Sequence, residues 1–246
     1  MKAMVLAAGE GTRLRPLTND MPKALVPVAG RPMIEYALLL LRHHGIREVI
    51  INLFHFGEQI ERRLGDGRQF GLTINYSRES ELLDTGGGLL KAKPFLQDES
   101  FIVINTDALI DLELANAIAF HKRQNAAVTL VLRPDVDADR YGSIDIDSKG
   151  RIRRFLTTQA PASSSGPLRK LMFSGVQILE PTVFDYMTAT PQKFSTTRET
   201  YPKMLAAGKA LYGFCFEGFW QDLGTAERIK EAETKLARGE ARLHYL

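Results

Sequence analysis

One cysteine, one tryptophan and five histidines are all that the 246 residues hold of the scarcer side chains. With Cys215 alone, no disulfide can close within the chain, and a reducing cytosol is the expected setting. The apolar surroundings of Cys215 point to a small buried hydrophobe in a strand rather than a nucleophile. The histidines show no metal-ligand spacing, and His43-His44 are placed to end a helix, where positive charge meets the negative end of its dipole. No Ser-His-Asp or Cys-His arrangement can be picked out. The net charge of +3 is too small to point to nucleic acid or to an anionic membrane. No apolar run approaches the roughly 18 residues of a membrane span. The densest one, residues 38–41 (LLLL), is closed by Arg42, His43 and His44. The apolar stretch after Lys2 is too short for a secretory signal and passes directly into GEGTRLRP, so no leader is expected. No hexapeptide repeat appears toward Leu246, so a β-helical second domain is not expected either.

What is there is an ordinary globular composition, 44% hydrophobic and 25% charged, in a chain long enough to bury a continuous core. Apolar runs alternate with helical patterns through the first half. Residues 4–8, 48–53 (EVIINL), 72–76, 101–105 (FIVIN) and 127–132 read as strands, and residues 33–44, 58–64, 87–93 and 113–124 as helices. Strands without a polar face, separated by helices, predict an α/β fold with a mixed, mostly parallel central sheet flanked by helices. The second half changes character. Residues 143–147 and 151–156 around Ser148-Lys149-Gly150 predict a hairpin, residues 157–170 a mobile loop or lid, residues 173–179 and 211–217 strands, and residues 226–238 a closing helix. No linker or repeat divides the chain. The expectation is one domain over 1–246, in which 1–135 carries the alternating strands and helices, 136–225 is a small β-rich part and 226–246 is the C-terminal helix.

The chemistry concentrates in residues 1–27, MKAMVLAAGEGTRLRPLTNDMPKALVP. A short apolar strand ends in a loop where Gly9 and Gly11 let backbone amides approach an anion. Arg13 can clamp a phosphate through two parallel hydrogen bonds, and Lys23 offers a compact charge on a long stem. Two other phosphate loops are excluded. A dinucleotide fingerprint needs a third glycine where Leu14 stands, and a helix that Pro16, Pro22 and Pro27 forbid. A Walker A loop needs Gly-Lys-Ser/Thr, which is missing here.

The segment LAAGEGTRLRPLTNDMPKALVPVAGRPMIEY resembles the signature of the sugar-1-phosphate nucleotidyltransferases, and later segments extend the likeness over nearly the whole chain. The resemblance implies a nucleotide-diphospho-sugar transferase-like fold and transfer of a nucleoside monophosphate from an NTP to a sugar 1-phosphate, with release of pyrophosphate. It places Ala7, Ala8, Gly9, Gly11, Thr12, Glu81, Gly86 and Gly87 at the nucleotide. Arg13 would lie on the β- and γ-phosphates and Lys23 on the α-phosphate, as the catalytic pair. Asp107 follows FIVIN, at the carboxyl end of a strand where ligands of open α/β sheets gather. Asp222 lies in GFWQDLGT before the last helix. Read alone, each aspartate fits a cap or turn better than a ligand, Asp222 in particular as a cap for a helix starting near Gly224, but both resemble the family's metal positions, which implies Mg²⁺. Thr106 stands where many relatives have glycine; its side chain would add bulk beside the metal or the sugar phosphate, but it is expected to be tolerated, since Asp107 supplies the ligand. Asp111 reads as a cap for the helix from Glu113.

For the sugar, the resemblance offers Asn105, Tyr141, Gly142, Ser174 and Gly175. The Glu-Lys-Pro element of many relatives is replaced by RFLTTQAPASSSG. The TGGG stretch resembles small uridylyltransferases acting on N-acetylmuramate 1-phosphate, with a role in cell-wall or polysaccharide precursors. Guanylyltransferases for mannose or heptose phosphates, a cytidylyltransferase for a non-sugar phosphate, and a non-catalytic binding module stay open. The implied partners are an NTP and a sugar 1-phosphate, in a cytoplasmic monomer or homodimer, with no nucleic acid and no membrane insertion.

Overall fold

The structure is a computed structural model that describes residues 1–134, 143–161 and 166–246. Along the chain run β1 (Lys2–Leu6), β2 (Pro27–Val28), β3 (Arg31–Pro32), α1 (Met33–His43), β4 (Glu48–Leu53), α2 (Gly57–Leu64) and β5 (Thr73–Arg78). Then come α3 (Asp84–Lys91), α4 (Lys93–Leu96), β6 (Phe101–Asn105), β7 (Ala108–Ile110), α5 (Leu114–Arg123) and β8 (Val128–Arg133). The rest is β9 (Ile144–Ile146), β10 (Ile152–Phe155), β11 (Thr158–Gln159), β12 (Arg169–Leu179), α6 (Tyr201–Ala206), β13 (Leu211–Cys215), β14 (Trp220–Asp222) and α7 (Ala226–Ala237). The fold is mixed α/β, with a central, mostly parallel sheet flanked by helices, as the alternation of apolar runs predicts.

Contacts group the chain into two compact units. The first holds Met1–Leu82, Val103–Leu112 and Gly218–Leu246; the second holds Leu83–Ile102 and Glu113–Glu217. The closing helix α7 therefore shares a unit with the N-terminal glycine loop. In the first unit β1 pairs β4 and β4 pairs β5, both parallel. Val49, Ile51 and Leu53 of β4 are at most 2% exposed, so this strand is covered on the core side and EVIINL shows no solvent alternation. Helix α1 buries Ile34, Leu38 and Leu41, at spacings of four and three, on one stripe. Truncating one of these leucines would cost about 2–5 kcal/mol.

The second unit carries an antiparallel run. β12 pairs β8 on one side and β9 on the other, β9 pairs β10, and β10 pairs β11. The predicted hairpin is β9–β10. Its turn is held by Asp147, whose Oδ1 accepts the Lys149 and Arg151 amides at 2.9 and 3.0 Å, with Gly150 at φ 81°. Thr158 and Gln159, expected in a mobile loop, form β11, and Arg169 and Lys170 already belong to β12. Residues 162–165 of that segment lie outside the described residues.

Two expectations need correction. Asp111 does not cap α5: Glu113 precedes that helix, and Asp111 instead accepts the His244 amide at 2.9 Å and His244 Nδ1 at 2.5 Å. A carboxylate gains more from two donors than from one frayed helix end. Cys215 does lie in a strand, but half-buried, with the Arg169 guanidinium 3.4 Å from its sulfur. Among the described residues no helix is long and apolar enough to cross a membrane.

Candidate active site

The first unit contains the loop, its basic residues and both candidate metal aspartates. The loop is held in a folded-back form. Gly11, at φ 67°, accepts Leu14 N–H at 2.8 Å and the Thr18 hydroxyl at 2.9 Å through its carbonyl. A Cβ on Gly11 would come within 2.8 Å of Lys23 Cβ, so glycine is required both by backbone angle and by the close return of the Lys23 segment. Arg13 lies in the single turn Thr12–Leu14, with Leu14 buried as its anchor and Thr12 and Arg13 exposed. Gly9 is exposed, and the space where its side chain would lie is open.

Pro22 leads into the single turn Lys23–Leu25, which aims Lys23 across the unit. Its Nζ donates to Asp107 Oδ2 at 2.7 Å. The second aspartate arrives by a ladder that periodicity does not reveal, because its strands are three residues each. β14 pairs β7 antiparallel, with Asp222 opposite Ala108, and Leu223 N–H donates to the Asp107 carbonyl at 2.8 Å. The two aspartates thus sit one register step apart on strands spaced about 5 Å apart. Asp222 is not the cap of α7. Thr225 is, accepting Arg228 N–H through its hydroxyl, while Asp222 Oδ1 accepts Gly224 N–H at 2.9 Å and Oδ2 pairs with Arg228. Arg13 packs over this turn: a Cβ on Gly224 would lie 3.0 Å from an Arg13 guanidinium nitrogen and 3.0 Å from Asp222 Oδ1. Loop cation, turn and carboxylate therefore share one small space.

The chemistry of this donor set fits Mg²⁺. Each carboxylate already faces a cation, so both are oriented for positive charge. Among the described residues no group of three or more His, Cys, Asp or Glu could form an all-protein cage. Two aspartates leave the other positions to phosphate oxygens and water, the arrangement magnesium favours. Thr106 does not press on this space. It is 6% exposed and its hydroxyl turns back to donate to the Leu6 carbonyl at 3.0 Å. Ala7 and Ala8 are buried at the exit of β1, and Ala7 N–H donates to Asn52 Oδ1 at 2.9 Å. Asn52 and its partner Glu79 escaped the sequence reading, because one polar residue in EVIINL carries no signal of its partners. Glu81 is exposed after β5, and Asn105 is half-buried at the end of β6.

The second unit holds the other candidates. Gly86 and Gly87 lie in the first turn of α3, which starts at Asp84, earlier than predicted. Their missing side chains make room for protein: a Cβ on Gly86 would meet the Phe194 ring at 2.2 Å, and one on Gly87 the Gln192 carbonyl at 2.0 Å. Ser174 and Gly175 sit where β12 slips its register against β8. The Ser174 hydroxyl donates to the Val131 carbonyl at 2.8 Å, and Gly175 takes φ 95°. Tyr141 and Gly142 lie outside the described residues.

Comparison with known proteins gives this arrangement its class. The nucleotidyl transferase family profile matches residues 2–239, and the chain belongs to that family. It is 36% identical over 240 residues to the N-acetylmuramate alpha-1-phosphate uridylyltransferase of Neisseria meningitidis, covering 95% of this chain and 97% of that protein. It is 35% identical over 237 residues to a UTP–glucose-1-phosphate uridylyltransferase of Synechocystis, and 34% identical over 240 residues to the mannose-1-phosphate guanylyltransferase of Mycobacterium tuberculosis. The chain spans 60% and 65% of the length of these two. Among solved structures, HddC from Yersinia pseudotuberculosis superposes with a TM-score of 0.77 at 25% identity, over 96% of this chain and 99% of that one.

Proposed function

We propose that the chain joins a nucleoside monophosphate to a sugar 1-phosphate. A phosphate oxygen of the sugar attacks the α-phosphorus of an NTP in line. The new O–P bond forms as the bond to the β-phosphate bridge oxygen breaks, and pyrophosphate leaves with the electron pair. The nucleophile is already an anion, so no general base and no covalent intermediate are needed. The observation that carries this is the Lys23–Asp107 contact, placed beside the turn where Arg13, Gly224 and Asp222 meet.

In this reading Lys23 neutralises charge growing on the α-phosphate, and Arg13 holds the β- and γ-phosphates and steadies the leaving group. Gly9 and Gly11 bring backbone amides to the triphosphate. Asp107 and Asp222 would hold Mg²⁺, which supplies positive charge to the phosphate oxygens. Asn105 remains the sugar-side candidate of the first unit. Such an enzyme would work in the cytoplasm, beside the NTP pool.

UTP with N-acetylmuramate 1-phosphate is the preferred pair. The support is the Neisseria uridylyltransferase, which the chain matches over nearly its whole length. GTP with mannose 1-phosphate is the second reading, supported by the Mycobacterium guanylyltransferase. The test is a panel of four NTPs against N-acetylmuramate, glucose, mannose and heptose 1-phosphates, plus CTP with polyol phosphates. Pyrophosphate release is followed and products are weighed by mass spectrometry. Release strongest with UTP and N-acetylmuramate 1-phosphate is expected. Strongest release with GTP selects the second reading, and no release from any pair overturns both.

A further inference from the structure

Where β1 ends, two successive backbone groups are each taken by a buried side chain of the first unit: Thr106 donates to the Leu6 carbonyl, and Asn52 accepts from Ala7 N–H. Asn52 lies on β4 opposite Leu6 and is 3% exposed. Its Nδ2 donates to Glu79 Oε1 at 2.8 Å. A backbone N–H can only donate, so it fixes which end of the Asn52 amide faces Ala7. The other end must then donate, and a carboxylate is the acceptor that suits it. Glu79, 8% exposed, is anchored further by its own N–H, which donates to the Leu53 carbonyl at 2.8 Å. The relay from Ala7 through Asn52 to Glu79 thus ties the exit of β1 to the exit of β5, across the strand between them. Those two exits lead to Ala7-Ala8 and Glu81, three of the residues that the family resemblance places at the nucleotide.

We propose that Asn52 and Glu79 are positioning residues that set the spacing of these two backbone edges, and so the fit of the nucleoside, without holding the triphosphate. The proposal rests on the nucleotidyltransfer reading above. A buried amide satisfied for stability alone would affect melting and leave ligand selectivity untouched. A relay that spaces the edges must affect the nucleoside and spare the phosphates.

Asn52→Asp puts a second carboxylate against Glu79 while keeping an acceptor for Ala7. Adding Glu79→Gln reverses the polarity of the inner hydrogen bond: the amide now at position 79 donates to the carboxylate at position 52, and the net charge equals that of the wild type. Two ligands are titrated by calorimetry into the full chain with Mg²⁺: the NTP that the wild type uses best, and inorganic tripolyphosphate. Melting is followed in parallel. We expect Asn52→Asp to weaken NTP binding roughly tenfold, about one decade of Kd, and tripolyphosphate binding by less than about twofold. The double variant should recover most of the NTP affinity. If Asn52→Asp does not fold, Glu79→Ala, which leaves the Asn52–Ala7 bond in place, carries the same comparison of ligands. Unchanged NTP binding, equal loss for both ligands, or no recovery in a folded double variant overturns the proposal alone. A wild type that binds neither ligand and releases no pyrophosphate overturns the nucleotidyltransfer reading and this proposal with it.

Discussion

In the proposed nucleotidyl transfer, Lys23 and Asp107 matter far more to the chemistry than to the fold. Their side chains are 14% and 32% exposed, and a pair so open to water contributes roughly 0–1 kcal/mol to stability. A donor aimed at charge that develops in a transition state is worth about 100- to 1,000-fold in turnover. Lys23→Ala and Asp107→Asn should therefore each cut kcat by two to three orders of magnitude, while the melting temperature moves by no more than a few degrees. Steady-state kinetics beside thermal melts check this, and near-normal turnover in either variant contradicts the assigned role. The loop residues were legible in the sequence because glycines, prolines and cations at short spacing carry their meaning locally. Asn52 and Glu79 were not, because a single polar residue in an apolar strand looks the same whether it faces solvent or a buried amide.

Helix α5 shows how one element imposes a pH response. His121 is 1% exposed and bridges its helix to β8 and to the residue after β12. Its Nε2 lies 2.9 Å from Glu180 Oε1, which also accepts the Ser100 hydroxyl at 2.5 Å. Its Nδ1 lies 2.8 Å from the Thr129 hydroxyl. With Nε2–H donating to Glu180, Nδ1 is free to accept from Thr129, so the neutral ring satisfies every partner. Burial pushes the His121 pKa down, opposed by Glu180 and reinforced by Lys122, and the net direction is down. The unfolded chain then binds the extra proton first, near the ordinary value of about 6.5. This stability is fully present above that value and is lost as pH falls below it. The melting temperature of the wild type should drop more between pH 7.5 and 5.5 than that of His121→Gln; parallel melts with equal slopes would refute it. The periodicity of α5 was readable, but the partners of His121 were not, since Glu180 and Ser100 come from other stretches of chain.

At the scale of the whole molecule, ligand and fold are linked by mass action. An NTP at about 100 times its Kd stabilises the native state by about 2.7 kcal/mol. For a chain of this size each kcal/mol moves the melting temperature by roughly 2–4 °C. The preferred NTP with Mg²⁺ should thus raise the melting temperature by several degrees. EDTA should remove turnover, and added Mg²⁺ should restore it. Differential scanning fluorimetry and a pyrophosphate assay read the two effects, and full turnover in excess EDTA would exclude the metal role of Asp107 and Asp222.

The α/β alternation, the strands EVIINL and FIVIN, the β9–β10 hairpin and the glycine-rich cationic loop follow from local pattern. Periodicity, turn chemistry and the limits set by glycine and proline act between near neighbours in the chain. The company that Asp107 keeps does not follow from pattern. Lys23 reaches it from a distant turn, and Asp222 arrives through a ladder too short to leave a periodic trace. The same holds for the choice of Thr225 over Asp222 as helix cap, for the Asp111–His244 pair and for the Ala7–Asn52–Glu79 relay. Each depends on which buried donors and acceptors tertiary packing brings within hydrogen-bonding distance.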